Sequence, residues 1–425
     1  MLRCRGWSPL AAAAAAAASS SSSPSSRERR ADLLDLPPDE ADVVIIGGGI
    51  MGWSIAYWLK KNDTEQDMTV LVVEKDPSDY LLVAGDPPID IQFNPSGYLF
   101  LASEEGAAVL EHNVRIQREE GAKVSLLSPE QLKKKYPWMR TDDVALASCG
   151  MENEGWFDPW TLLLAFQKKA KSLGVIEYCG EVTSFGMTSR EVTTFEGQRA
   201  HLSHIRKVHI KIPNSPNTFS VAPGMVVNAA GAWSGSVAEM ASIETGEPGT
   251  KSVYKLPVEP RKRYVYVFHC PAGPGLACPV VIDTTGAYFR REGLGGNYIA
   301  GCSPTEEEEP DIQDLEVDHG FFQENVWPKL AQRVPNFESL KVKSSWAGYY
   351  DYNTFDQNGV IGQHPFVRNL YFATGFSGHG LQHSPTVGLA MSELILDGKY
   401  KTIDLNVLSF DRILNGKKAL ERNII

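Results

Sequence analysis

Gly47-Gly48-Gly49-Ile50-Met51-Gly52 sets glycines in the order Gly-x-Gly-x-x-Gly, and an acid, Glu74, stands 22 positions after the last of them. Glycines in such a turn let the backbone approach a pyrophosphate, whose charge then meets the free N–H groups and dipole of a following helix. A carboxylate at that separation accepts a ribose 2′-hydroxyl and repels a 2′-phosphate, which points to an adenine dinucleotide other than NADP. Gly47, Gly49, Gly52 and Glu74 are therefore candidate cofactor-binding residues. A second glycine-rich turn, Thr374-Gly375-Phe376-Ser377-Gly378-His379-Gly380, lies toward the other end of the chain and leads to Pro385 and Gly388. Another helix N-terminus is expected there, with Pro385 in its first turn, suited to face negative charge developing on a cofactor ring.

The elements around the first turn are legible. Asp42 to Ile46 is a continuous apolar run rich in β-branched residues, as in a parallel strand buried on both faces. Ile50 to Lys61 reads as a helix, and Thr69 to Val73 as a second strand ending on Glu74. Strand, glycine turn, helix, strand and acid make up one dinucleotide-binding unit. Around the second turn, Leu370 to Ala373 reads as a strand and Leu389 to Leu396 as a helix.

Composition narrows the setting. With 41 Lys and Arg against 52 Asp and Glu, a net charge of −11 and 43% hydrophobic residues, a chain of 425 residues has the make-up of a globular protein with more than one domain. Nucleic-acid partners are not expected, because phosphate neutralisation needs clustered cations. Six cysteines without Cys-x-x-Cys spacing point to reduced thiols and no metal site. The run Glu306 to Glu309, followed by Pro310, reads as a solvated loop. No apolar run is long enough to span a bilayer, so any membrane association is expected to be peripheral. Residues 1–40 read as a disordered targeting presequence: Met1 to Ser26 carries no acid, only two arginines, an alanine run and a serine tract. That composition suits mitochondrial import, with a secretory signal as the rival reading.

The run Gly375 to Gly380, with Pro385 and Gly388, resembles the flavin-contacting motif of the D-amino-acid oxidase and sarcosine oxidase superfamily. Val227-Asn228-Ala229-Ala230-Gly231-Ala232-Trp233-Ser234 resembles its central turn beside adenosine and pyrophosphate, and Trp346 to Tyr350 its return to the flavin domain. The resemblance runs from about Ala41 to Leu396. It implies FAD, held also by Asn228, Gly231, Trp233, Gly375, Ser377, Gly378, His379 and Gly380, and expected to be non-covalent because Ser344 to Gly348 lacks the cysteine that attaches flavin in monomeric sarcosine oxidase. It further implies dehydrogenation of a C–N bond in a small amine or amino acid, with His379, Tyr350 and Arg290 as candidate catalytic residues. The stretches 155–160, 257–267 and 347–355 bring the resemblance close to a mitochondrial branch associated with assembly of respiratory complex I. Complex I subunits or assembly intermediates become implied partners on the matrix side, and a catalytically silent assembly factor becomes the alternative reading.

The expected fold is α/β: a discontinuous Rossmann-type FAD-binding domain from 41–90, 151–250 and 340–425, with an antiparallel β-rich substrate domain from 91–150 and 251–339. Two departures from the superfamily stand out. After Glu74, residues 75–91 lead almost directly to the next strand and carry Pro77, Gly85, Pro87 and Pro88, so no crossover helix fits, and a shortened form with weaker FAD binding is expected. Where many members place an Arg for the substrate carboxylate, this chain has Tyr349 and Tyr350. Arg290 or Arg291 could substitute, but adjacent strand residues point to opposite faces, so at most one of them serves.

Overall fold

The computed structural model describes residues 36–65, 67–76, 89–150, 152–193, 199–213, 215–241 and 255–420. Nearly all of the presequence and most of the shortened connection after Glu74 lie outside the described residues. The elements that position the site are, in chain order, β1 (Glu40–Ile46), α1 (Ile50–Asn62), β2 (Val70–Glu74), β3 (Thr218–Asn228), β4 (Val258–His269), β5 (Ala287–Glu292), β6 (Lys341–Asn353), β7 (Leu370–Thr374) and α2 (Gly380–Asp397).

Two eight-stranded sheets carry the fold. In the first, β1 lies between β2 and β3, parallel to both, and β7 continues in parallel beyond β3. The apolar runs fit this layout because both faces are covered. Trp53, Ile55 and Leu59 of α1 pack on one side together with Val387, Ala390 and Met391 of α2, while Val44, Leu71, Val226 and Phe372 face Ile205, Val208 and Phe410 on the other. Each fully buried side chain of this size stabilises the fold by roughly 1.5–3 kcal/mol, so α1 is held mainly by packing, since no side chain caps it. β1 has its sequence successor β2 on one side and β3 on the other, which opens a crevice at the strand ends where open α/β sheets take ligands.

The second sheet runs in the order β6, β4, Asn297–Cys302, β5, Val280–Ile282, Tyr98–Ala102, Leu146–Gly150 and Val124–Leu127. Its pairing sorts the side chains by face. Tyr266, Phe268, Phe289, Tyr298 and Ala300 enter an aromatic core closed by Phe322, Leu330 and Phe337. The other face carries Arg261 and Tyr350 as partners, then Arg263 with Gly348, Val265 with Trp346, and Tyr288 with Gly301. A boundary at 340 assigned β6 to the dinucleotide domain. β6 instead pairs along its length with β4, from Asn353 opposite Val258 to Lys341 opposite His269, and the chain returns to the first sheet only after Asn353. No disulfide joins the described cysteines, and no described helix is long and apolar enough to cross a membrane.

Candidate functional site

The first turn is shaped by backbone sterics. Gly47 has φ +107°, and a Cβ there would lie 2.4 Å from the carbonyl oxygen of Ala229. A Cβ on Gly52 would lie 2.0 Å from the Gly47 carbonyl oxygen, so α1 can pack this close to the turn only with glycine. Gly49 differs: nothing lies within 4 Å of the position its Cβ would take. It stands at the start of α1, which has no side-chain cap and no acid in its first turn. An uncapped helix start beside open space fits a dinucleotide pyrophosphate. The carboxylate of Glu74 accepts the N–H of Gly48 at 2.7 Å and that of Asp76 at 2.9 Å. A carboxylate has about four lone-pair sites, so Glu74 braces the turn and keeps capacity for a ribose hydroxyl.

The central turn divides the expected ligands by role. Asn228 is fully buried, and its amide group donates to the Ser234 carbonyl at 2.9 Å and accepts from the Ala230 N–H at 3.3 Å. Both bonds lie within the turn and the side chain is fully buried, so in this structure Asn228 shapes the turn. Gly231, at φ +55°, opens a short 3-10 turn ending on Trp233, which is about half exposed and stands edge-on to Tyr349 at 5.6 Å.

The second turn is braced by β6 of the other sheet. Gly375, Ser377 and Gly378 have φ of +76°, +49° and +96°, and for serine that conformation is strained. Asp351 of β6, which sequence reasoning passed over, holds them. Its Oδ2 accepts the N–H of Gly375 at 2.6 Å and of Phe376 at 3.1 Å, and its carbonyl accepts the N–H of Ser377 at 3.0 Å. The Ser377 hydroxyl in turn accepts the N–H of Asn353 at 3.0 Å. Burial pushes the Asp351 carboxyl up from the usual carboxylate range, against the pull of the Phe376 and Gly375 N–H groups. A bidentate ion pair from Arg412 to the buried Asp356, at 2.7 and 3.0 Å, anchors the chain that follows.

His379 occupies the N-cap position of α2, which again has no side-chain cap and no acid in its first turn. His383 is exposed, with its ring 6.3 Å from that of His379. Pro385 lies inside α2 and not in its first turn. It has no N–H for the Leu381 carbonyl four residues back, and the Ser384 hydroxyl donates to that oxygen instead, at 2.9 Å. α1 and α2 meet where Ser54 Oγ donates to the Ser384 carbonyl at 2.7 Å, and a Cβ on Gly388 would lie 2.1 Å from that same hydroxyl.

Above the second turn stands Tyr350, whose ring carbons would lie 3.9 Å from a Cβ on Gly378. Its hydroxyl accepts from Arg263 at 2.9 Å, and the guanidinium also lies 4.9 Å from the ring centroid. Burial raises the Tyr350 phenol pKa, while Arg263 pulls it down. Arg263 is gripped by both carboxylate oxygens of Glu309 at 2.8 Å each. Burial opposes its charge, and Glu309 and Tyr350 more than offset that.

Arg290 does lie on the sheet face of Tyr288 and Arg263, over the Trp156 ring at 4.4 Å and paired with Glu292 at 2.5 Å, whereas Arg291 turns to the other face and donates to the Gly293 carbonyl. Arg290 aligns, through Ile299, with Val267, six residues along β4 from the Arg261 partner of Tyr350. The guanidinium beside the second turn is therefore Arg263 and not Arg290. Between the two lies Tyr288, its phenol pushed up to about 12 by burial while both arginines draw it down. Glu309 likewise departs from the solvated loop expected of residues 306–309: Glu306 to Glu308 are exposed, but Glu309 turns inward. The opposed charges of 261–263 and 306–309 were the available signal.

A family model described as FAD dependent oxidoreductase matches residues 82–394. FAD-dependent oxidoreductase domain-containing protein 1 of Xenopus laevis is 58% identical over 429 residues, 92% of this chain and 86% of the relative. The mitochondrial dimethylglycine dehydrogenase of Rattus norvegicus is 25% identical over 414 residues, 85% of this chain and 43% of that protein. Among solved structures, L-proline dehydrogenase from P. horikoshii superimposes with a TM-score of 0.69 at 26% identity, over 90% of this chain and 100% of that one. The family match begins beyond the first glycine turn, so the reading of that turn stands on its own geometry.

Proposed function

From the premise that this chain belongs to the FAD dependent oxidoreductase family, whose cofactor is FAD, we propose that it oxidises the C–N bond of a small amino acid or N-alkyl amino acid. FAD, when bound, supplies the two-electron acceptor. The Gly47–Gly52 turn and Glu74 would hold its adenine half, and the Gly375–Gly380 turn with the start of α2 its ring. We take the binding to be non-covalent, since the attachment cysteine is missing from Ser344 to Gly348. Tyr350 and Arg263 would orient the substrate over that turn, and the aromatic wall of Trp346 and Tyr288 would limit water. The observation that carries this reading is the meeting of two uncapped helix starts, each after a glycine turn, under a cationic and aromatic sheet face.

The names of the relatives support the substrate class, since dimethylglycine and proline both carry an amine and a carboxylate. The test is anaerobic reduction of the purified flavoprotein by N-methyl and primary amino acids: bleaching by any of them supports the reading, and none across the panel overturns it. The paired state of Arg263 favours the second reading, a silent flavoprotein that serves assembly. We further propose mitochondrial import and action on respiratory complex I intermediates, supported by the acid-free start and by the resemblance. N-terminal sequencing of the protein from isolated mitochondria tests the first, and complex I content in cells lacking the protein tests the second.

A further inference from the structure

The strand Asn297–Cys302 pairs with β4 only as far as Tyr266, so the stretch of β4 from Val258 to Arg263 loses its neighbour on that side. The chain after Cys302 is bound to this stretch by charge. Arg261 and Arg263 reach Glu309 from one face at 3.1 and 2.8 Å, and Lys262 reaches Asp314 from the other at 3.3 Å. The Tyr349 hydroxyl adds bonds to the carbonyls of Ile312 and Asp314 at 2.7 and 2.9 Å. Glu309 thus sits between a capped 3-10 turn, Thr305 to Glu308, and a pinned segment around Asp314.

Two equal N–H···O contacts of 2.8 Å from one guanidinium to one carboxylate are the geometry in which arginine receives any free carboxylate. The pair is not sealed: the two side chains keep 19% and 18% of their surface exposed, which leaves an exchange path. The same guanidinium donates to Tyr350, the residue beside the second glycine turn.

Resting on the amino-acid reading above, we propose that Glu309 is an internal stand-in for the substrate carboxylate. It occupies Arg263 in the resting protein and is displaced on binding, which loosens residues 306–311 ahead of the anchor at Ile312 and Asp314. The wild-type protein then binds small carboxylates weakly, because each must compete with a tethered anion. Removing that anion leaves a guanidinium that takes a free carboxylate directly.

The test uses FAD-loaded full-length protein and acetate as probe, read by thermal shift and by perturbation of the flavin absorbance. Glu309→Gln is expected to bind acetate about tenfold or more tightly than wild type, and to lose that gain when Arg263→Gln is added. Limited proteolysis within 306–311 is expected to quicken when acetate or an N-methyl amino acid is added to wild type. Should Glu309→Gln fail to fold, Glu309→Asp, with shorter reach and unchanged charge, is expected to show an intermediate gain. Equal acetate affinity in wild type and either folded variant, or cleavage unaffected by ligand, overturns the proposal. A protein that shows the affinity gain but is reduced by no amino acid keeps the stand-in and loses the oxidation reading, so the two failures are separable.

Discussion

The two glycine turns do the same job by different means. The turn after β1 is made by absent side chains: Gly47 and Gly52 touch backbone that a methyl group would strike, and Glu74 is its side-chain brace. The turn after β7 is made by present ones: the Asp351 carboxylate reaches across from the second sheet to Gly375 and Phe376, and the Ser377 hydroxyl reaches back to the Asn353 N–H. The first turn is closed by backbone that no side chain could clear, so it tolerates little change in itself, whereas the second hangs on a carboxylate from the other sheet and can be lost by a change at Asp351.

The largest expected effect comes from breaking the first kind of turn. Gly52→Val drives a side chain into the Gly47 carbonyl, and neither backbone can move without unseating α1. The expected loss is about 4 kcal/mol or more, read as a collapse of soluble yield or of the denaturation midpoint. Next comes the brace of the second turn. Asp351→Ala removes bonds from two N–H groups to a charged acceptor, worth roughly 1.5–3 kcal/mol each. Flavin affinity is expected to fall at least a hundredfold while α1 keeps its hydrogen-exchange protection. Unchanged flavin content in a folded Asp351→Ala protein would show that the turn needs no brace.

Gly49→Val sharpens the comparison, because it fills the open space without striking protein. The apo-protein midpoint is expected to move little, within about 1 kcal/mol, while FAD binding falls tenfold or more. A midpoint drop equal to that of Gly52→Val would make Gly49 another packing glycine. The last effect shows only below neutral pH and is centred on the layer behind β7. There His364 stacks on Phe410 with ring centres 5.5 Å apart, and its Nδ1 accepts the N–H groups of Phe366 and Val367 at 3.0 and 3.1 Å. Burial lowers its pKa to about 4. The unfolded chain, with a histidine pKa of about 6.5, binds the proton first, so stability is full above about pH 6.5 and falls as the pH drops toward 4. His364→Asn, which keeps an acceptor and does not titrate there, is expected to flatten that slope in melting curves taken from pH 7 to 4.

This contrast also explains what the sequence revealed. Asp42 to Ile46, Gly47 to Gly52 and Glu74 are close in the chain, and their meaning is carried by period and spacing. Asp351 has no local mark, since it acts through a partner strand whose register no short window encodes. Tyr350 was legible by resemblance, but its partner Arg263 lies 87 residues away and joins it only because β4 and β6 pair. Asn228 shows the converse: a residue type that binds ligands elsewhere is consumed here by its own turn. Pro385 was placed in a first turn because proline is commonest there, and Ser384 lifts that restriction by supplying the missing donor.

The contact between Ser54 and Ser384 spans 330 positions of the chain. On a ribosome adding about 5–20 residues per second, the start of α2 emerges on the order of tens of seconds after the start of α1. Through that interval the helix Pro159–Ser172 can pack on α1 through Phe166 and Ala170, but the side of α1 that meets α2 has no cover. A cofactor site assembled from both ends of the chain is thus among the last parts of the molecule to form, and until then its earliest hydrophobic segments stay open to those of neighbouring chains.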